Sequence, residues 1–567
     1  MLATSAAQGS DLKSLGSYEQ QAVEEVLAAR ALAIDPTPLG KRIARIHVAN
    51  LDVFSANTGW LRALNNLHRT TLEPTIRREL LVQVGQPWNE QVIAESERIL
   101  RNPTFTSFVV LVPVVSAQEA EVDLLVVTRD LWSLRTNSEF VNQEGQFTSL
   151  KVAAAENNLL GRRKHVSLIL EMDQGEYSLS TRWRDLNVLG KRWEFVFRPR
   201  LLFSRETDKL EGTQSYTRVV YPLWSLASKW GVYIEGTHRN AIARSFQGQS
   251  LATYDDPGTP EVEEIAQEFR LKQFALTSRI TRSYGRRFKH IVGAGHELLS
   301  KRPEALLRPE LSPETTAAFA RDLFPRSEVS SAATVEYKFF EPRFVTYRNV
   351  NTYDLPEILQ AGPNLSADIA LALQRLGSTT NFVRHRLSAH YLFDFDARSL
   401  IRIGASLARR LERNSNGNIN DLDASYGVNW FAATPQLPGA LRLVSYGDVR
   451  LRSEDQENDI VQVGGLDLRG FEVGAFGGTS YLRSSVEIRS APVRFGFMRV
   501  GSLAFWDMGH AANSPGDLQP RHNIGVGLKA LIPQTGESLS FLYWALPLGS
   551  EFRLPGRISL GFEEPFE

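Results

Sequence analysis

From residue 147 onward, apolar and polar residues alternate with a period of two. In Lys164–Met172, Val166, Leu168, Leu170 and Met172 share one parity, while His165, Ser167 and Glu171 share the other. Glu176–Arg184 repeats the pattern, with Tyr177, Leu179, Thr181 and Trp183 set against Glu176, Ser178, Ser180, Arg182 and Arg184. Trp193, Phe195 and Phe197 oppose Arg192, Glu194 and Arg198, and near the far end Val486 and Ile488 oppose Arg483, Ser485, Glu487 and Arg489. Successive strand side chains point to opposite faces, so these stretches predict strands with one apolar and one charged face. Connections alternate between tight ones, such as Asp173-Gln174-Gly175, and long polar ones, such as 239–261 and 302–330. The pattern runs for about 420 residues, close to roughly 26 residues per strand and connection in a sixteen-stranded membrane barrel. Apolar faces are tipped with Trp183, Trp193, Trp224, Trp230, Trp506 and Trp544, as the boundary between lipid and water requires. The expectation is β-rich: a 16-stranded antiparallel transmembrane β-barrel over 147–567, with a β-sandwich or propeller as the alternative. Direct counting gives about nineteen candidate strands, the surplus falling in 330–452 as hairpins projecting beyond the membrane.

The first 136 residues read differently. Ala22, Val23, Val26, Leu27 and Ala31 fall on one face of a helix from about Ser17 to Ala31, ended by Pro36 and Pro38. Ile43, Ile46 and Val48 begin a strand that continues to Val53 and Phe54. Two helical patterns follow, one carrying Ile76, Leu80 and Leu81 behind Pro74, the other Val92, Ile93, Ile99 and Leu100 after Asn89. Gly85 stands between them in the manner of a C-cap. Phe108–Val115 and Val122–Thr128 close the unit as strands around the turn 116–119. The expected organisation is an extension with a short helix at 1–38, a β-α-α-β-β unit at 39–136, and the barrel. Met1–Gln8 has small residues suited to leader cleavage but no apolar core before them, which fits either a trimmed leader or a flexible start.

Composition narrows the function. Lys and Arg number 64 and so do Asp and Glu, and zero formal charge argues against a nucleic-acid coat or a polybasic membrane-surface binder. The chain has no cysteine, which excludes disulfides, thiolate zinc sites, iron–sulfur clusters and cysteine nucleophiles, and suits an oxidising compartment. No apolar run reaches the roughly 18 residues of a membrane-crossing helix. Gly-x-Ser-x-Gly, His-Glu-x-x-His, a Walker loop and the dinucleotide fingerprint are all missing, so an enzyme is not expected, nor any cofactor or metal. Asn414–Asp423 is rich in oxygen ligands but lacks the terminal Glu of a calcium loop, and reads as a polar hairpin loop. His385 and His390, five apart on a strand, point to opposite faces and cannot share a metal.

One constellation is worth following. On Phe505–Gly509, Asp507 shares its parity with Phe505 and Gly509, opposite Trp506 and Met508, so Asp507 faces the lumen and Trp506 the lipid. Glu487 lies on the lumen face of the preceding strand. A guanidinium on a loop folded into the lumen could bridge both carboxylates through its planar fork. Around these residues a series of motifs runs in order: Leu468-Arg469-Gly470-Phe471, Phe476-Gly477-Gly478, Ser485-Val486-Glu487-Ile488-Arg489, Phe505-Trp506-Asp507-Met508-Gly509, Gly525-Val526-Gly527-Leu528 with Pro533, and a closing Arg557–Phe566. The series resembles the barrel of the outer-membrane assembly superfamily that includes BamA, TamA and the two-partner secretion translocators, the bacterial surface antigen family. The unit at 39–136 resembles a POTRA domain, and Glu156-Asn157-Asn158-Leu159-Leu160-Gly161 resembles the end of the family's first barrel strand. The resemblance implies a loop-to-wall lock of Arg469, Gly470 and Phe471 against Glu487, Asp507 and Gly509. The alternative is that Arg469 caps an exposed turn while the carboxylates pair with Arg483 and Arg489. Ile558, Leu560, Phe562 and Phe566, with Gly561 on the other parity, resemble the family's barrel insertion signal, although Glu567 follows the closing aromatic residue.

The resemblance further implies a monomer in the outer membrane of a Gram-negative bacterium, with the POTRA-like unit in the periplasm. Its partners would be outer-membrane lipid and extended client proteins, with no nucleic acid. Clients would pair with a free strand edge, Phe108–Val115 or Ile43–Val48, and reach a seam between a first strand near Phe147–Ala155 and a last near Arg557–Phe566. The alanines of Val152–Ala155 offer little cross-strand packing there. The other expectations are a two-partner-secretion-like exporter, with the helix at 17–31 plugging the lumen, and a passive outer-membrane pore.

Overall fold

The computed structural model describes residues 15–563 except 16, 55–61, 64, 67, 103, 144–145, 174, 248–249, 260–263, 307, 309–310, 396–397, 414–418, 456–460, 473, 534–538 and 550–555. The N-terminal unit contains helix α1 (Ser17–Ala29), strand β1 (Arg42–Leu51), helices α2 (Glu73–Glu79) and α3 (Glu90–Leu100), and strands β2 (Thr106–Val115) and β3 (Glu121–Asp130). The sheet order is β1-β3-β2, with β1 parallel and β2 antiparallel to β3. Alternate residues of the sheet serve two cores. Val109, Leu111, Leu124 and Val126 pack with Ile76, Leu80, Ile93 and Leu100 of the α2 and α3 region, while Phe108, Val110, Val112, Leu125 and Val127 pack with Ala22, Val23 and Val26 of α1. A sheet covered on both faces needs apolar residues at every position, which accounts for the unbroken run in β2. Asn89 caps α3 by accepting from the Val92 amide at 3.2 Å. Gly85 is not a C-cap, because α2 already ends at Glu79. At φ +87° it turns the chain back onto β1, its amide donating to the Ile43 carbonyl. Val53 and Phe54 lie beyond β1, buried against Trp132.

The rest of the chain is one antiparallel sheet closed on itself. Twenty-two strand segments form the ring among the described residues, and two of them prolong the segment before. Arg343–Arg348 continues Glu328–Phe340 along Pro356–Ala372, and Val493–Phe495 continues Ser480–Ser490 along Met498–Ala512. The wall therefore makes twenty passes, not sixteen; the expected sixteen assumed longer connections than the chain uses. The six passes from Glu328 to Asp455 all belong to the wall, so the surplus strands are wall strands, although one hairpin of this stretch, 343–357, does continue past the rim. An even number lets the last strand close antiparallel onto the first.

The ring begins at Leu134–Gln143, ahead of the expected 147, and that strand is the ring neighbour of Arg557–Glu563. Gln146–Glu156, expected at the seam, is the second pass and pairs on both sides. The long connections are shorter than expected, since Trp230–Arg244 and Lys289–Glu304 extend into them. The second also carries a helix, α4 (Pro313–Leu323), capped by Ser312.

Leu168, Leu170, Ile234, Ile280, Val335, Ile369, Ile403, Val428, Val526 and Leu542 face outward and are exposed. Ser178, Glu328, Glu336, Glu412 and Lys529 face inward and are buried. Among the described residues no helix is long and apolar enough to cross a membrane. The N-terminal unit sits on one rim, where Leu72 N donates to Gly161 O at 2.9 Å, Asn158 Nδ2 to Arg69 O at 2.9 Å, and Asn187 and Arg192 bond Glu79 at 3.1 Å.

Candidate functional site: an inward loop locked to the wall

The connection between Leu441–Asp455 and Ser480–Ser490 leaves the rim opposite the N-terminal unit and turns into the lumen. Val461–Val463 pairs with Phe476–Gly478, and Leu468 and Phe471 are buried in a cluster with Val463, Tyr481 and Ala511. This small core sets Arg469 against the inner wall, where it is 3% exposed. Its Nε donates to Asp507 Oδ2 at 2.9 Å, Nη2 to Asp507 Oδ1 at 2.6 Å and to Ser485 Oγ at 2.8 Å, and Nη1 to Glu487 Oε1 at 2.8 Å. Its guanidinium carbon lies 3.4 Å from the centre of the Phe505 ring and 4.9 Å from that of Tyr543. Asp507 also accepts from Ser485 Oγ at 2.8 Å and Asn523 Nδ2 at 2.9 Å; Glu487 also accepts from Arg489 Nε at 2.7 Å and Tyr446 OH at 3.1 Å. Glu487 is 0% and Asp507 1% exposed. Charges this deep persist only when each is paired and hydrogen-bonded, a condition this cluster meets.

The structure brings Arg469, Glu487 and Asp507 together, and both sequence readings of the carboxylates contribute. Glu487 bonds Arg469 and Arg489 at once, whereas Arg483 pairs with Asp448 and Asp467 instead. Gly470 passes so close to the wall that an added Cβ would stand 2.6 Å from Asn523 Cβ; at Gly509 it would stand 3.2 Å from Val463 Cγ1. Ser485, Asn523, Phe505 and Tyr543 escaped the sequence reading as members of the site. So did Gly525 and Gly527, where a Cβ would meet the Phe505 and Tyr543 rings at 2.3 and 2.4 Å. Two glycines alternating with outward Val526 were the available signal, since missing side chains on an inward face leave room for rings.

Elsewhere the expected site residues separate. Ile558 and Leu560 are exposed on the outer face of the last strand. Gly561 and Phe562 pair with Phe541 and Ser540, and Phe566 lies outside the described residues. Residues 414–418 of the oxygen-rich loop also lie outside them. Among the described residues no cluster of three or more His, Cys, Asp or Glu forms a metal-ligand set. The two sheet edges expected to be free are occupied. On β1, Ile43 bonds residues 85 and 86, and the Ile46 and Val48 carbonyls accept from Arg77 at 2.6 Å and Arg30 at 3.0 Å. On β2, Asp35 N donates to Pro113 O at 3.0 Å and Val115 N to Ala33 O at 2.9 Å. Helix α1 packs on the sheet of the N-terminal unit, which overturns its expected role as a lumen plug.

No protein-family model and no curated protein matches the chain. Among solved structures it is similar to BamA from Haemophilus ducreyi lacking POTRA domains 1–3, at 12% identity over 92% of this chain and 83% of that one, with a TM-score of 0.35. It is similar to CdiB from Acinetobacter baumannii at 9% identity, covering 96% and 81%, with a TM-score of 0.39. Similarity to OccK11 (OpdR) from Pseudomonas aeruginosa is 10% in identity, covering 76% and 92%, with a TM-score of 0.31.

Proposed function

We propose that the chain is a β-barrel of the Gram-negative outer membrane that assists the insertion or translocation of extended client proteins, with the N-terminal unit on the periplasmic rim as a POTRA-like docking module. The inverted polarity of the closed sheet, exposed aliphatic side chains outside and buried ionic ones inside, is what a bilayer demands of a barrel. The observation that carries the client-handling reading is the loop in the lumen, which the buried Arg469 fixes to the inner wall on the strands just before the closing seam. The seam where Leu134–Gln143 and Arg557–Glu563, the first and last passes, meet is the place for lateral release.

A solute-conducting reading is favoured by one feature, a cavity of about 320 Å3 lined in part by Arg198, Arg200 and Arg239. Depleting the protein and comparing outer-membrane and secreted proteomes separates the readings. Altered abundance of several barrel proteins supports insertion, and loss of one exoprotein supports a secretion role. An unchanged proteome with altered permeability to small anions would overturn client handling in favour of the pore.

A further inference from the structure

The strand Glu328–Phe340 does not stop at the rim. It continues in unbroken register as Arg343–Arg348, and the chain returns through Pro356–Ala372. The turn between them, 349–355, reaches strands far round the ring. Asn349 O accepts from Arg442 Nη1 at 2.9 Å and Val350 O from Arg489 Nη1 at 2.7 Å, while Asp354 pairs with Arg499. Tyr353 and Leu355 are buried with Leu531 and Leu539 of the opposite wall. Every one of these partners lies at the end of its strand nearest the N-terminal unit, so the hairpin lies across that mouth of the barrel. It is also built to hold its shape. The Glu357 carboxylate accepts from the amides of Val350, Asn351 and Thr352 at 2.9–3.0 Å, and Tyr347 is fully buried with its hydroxyl on Asp394 at 2.9 Å.

Two contacts tie this hairpin to the N-terminal unit. Arg348 pairs with Glu19 of α1, which also pairs with Arg101 at 3.2 Å, and the Arg98 guanidinium stands over the Phe344 ring at 4.8 Å. A third tie runs the other way, because Arg489 holds Val350 O and Glu487 together, and Glu487 holds Arg469. A line of ion pairs, joined through the Arg489 bond to the Val350 carbonyl, thus connects the loop entering from one rim, the hairpin crossing the other, and helix α1.

We propose that the 343–357 hairpin is a gate on the lumen, latched by Glu19 of α1 on one side and by the Arg489–Glu487–Arg469 cluster on the other. Displacement of α1 from its sheet breaks the Arg348–Glu19 pair and frees the hairpin to leave the mouth. The gate rests on the reading of the chain as a membrane barrel, and the test keeps the two apart.

The full chain is refolded into planar phosphatidylcholine bilayers, and single-channel conductance is compared with that of a variant in which 349–355 is replaced by a short Gly-Ser turn. Glu19→Gln, which leaves the hairpin whole, serves as a second variant. The shortened variant is expected to conduct several-fold more than the parent, and Glu19→Gln to open several-fold more often with the same open conductance. Inserted variants that both conduct as the parent does overturn the gate and leave the barrel standing. A parent chain that never integrates into the bilayer overturns the membrane reading and the gate with it.

Discussion

Arg469 concentrates more consequence than any other side chain described. It touches two wall strands, one through Glu487 and Ser485 and the next through Asp507, and the ring of Tyr543 on a third. Removing one partner of a buried pair strands the other charge, so Arg469→Ala should cost about 3–5 kcal/mol, read as a lower midpoint when the folded protein is titrated with denaturant. Lysine keeps the charge but loses the fork, so Arg469→Lys should recover only part of that loss. Arg483→Ala is the contrast. Its pairs with Asp448 and Asp467 are 38% exposed on the arginine side, and the cost should be about 0–1 kcal/mol. Equal effects at the two positions would remove the distinction between lock and surface pair. Gly525 makes the same point through space. A Gly525→Ala methyl would collide with Phe505, and the displaced ring should loosen the loop, seen as faster proteolysis within 456–479.

Among the elements, the segment after α1 offers a test that depends on pH. Ala33 and Asp35 cover the β2 edge, and Asp35 is fixed by Lys41 Nζ at 2.6 Å and by the Thr37 amide at 2.9 Å. Burial alone would raise the Asp35 carboxyl, but the hydrogen bonds from Lys41 and Thr37 outweigh it and hold the carboxyl below its ordinary value of 3.8. A depressed carboxylate contributes stability that is fully present above its unfolded pKa and is lost as pH falls through the folded one. The edge cover should therefore hold at neutral pH and loosen only below about pH 4. Asp35→Asn should loosen it at all pH values. Hydrogen exchange at the Val115 amide, which the cover protects, reads both effects. Equal protection in parent and variant at pH 7 would mean that the Asp35 carboxylate does not hold the edge.

The same elements show what sequence could reveal. Alternation identified the wall strands and faces correctly wherever one face met an apolar exterior, as along Lys164–Met172 and Phe505–Gly509. It could not number the passes, because period two says nothing of where one strand turns into the next. It also missed the inward hairpin. Arg343–Leu355 mixes charged and aromatic residues because both its sides meet protein, and no face-to-face contrast marks it. The helices α2 and α3 were legible from apolar spacing, while the covering of both sheet edges depends on the Arg30, Arg77 and Ala33–Asp35 contacts, which only the fold brings together. Of the uncharged members of the lock, Ser485 and Phe505 were legible as lumen-facing but not as partners of Arg469, and Asn523 and Tyr543 were not legible at all, for the same reason.

For the whole molecule, one substitution pair decides whether the outer surface meets lipid or water. Val428 is exposed and outward, and its neighbours Ala405 and Val449 lie at matching heights on adjacent strands. Ser388 points to the other face and bonds Ser366 at 2.8 Å. In water, an arginine at an exposed valine would cost almost nothing and would improve solubility. At the middle of a bilayer the same residue costs about 2–4 kcal/mol, falling towards zero near the interfaces. Val428→Arg should therefore destabilise the chain folded in lipid vesicles by an amount of that order, while Ser388→Arg, facing a wet lumen, should be tolerated. The outward series can be extended from Val428 to Tyr391, which lies nearer the rim that carries the N-terminal unit, and the penalty should decline along it. A flat profile of negligible costs in vesicles would mean that the exposed aliphatic band does not face acyl chains, and the membrane reading would fall.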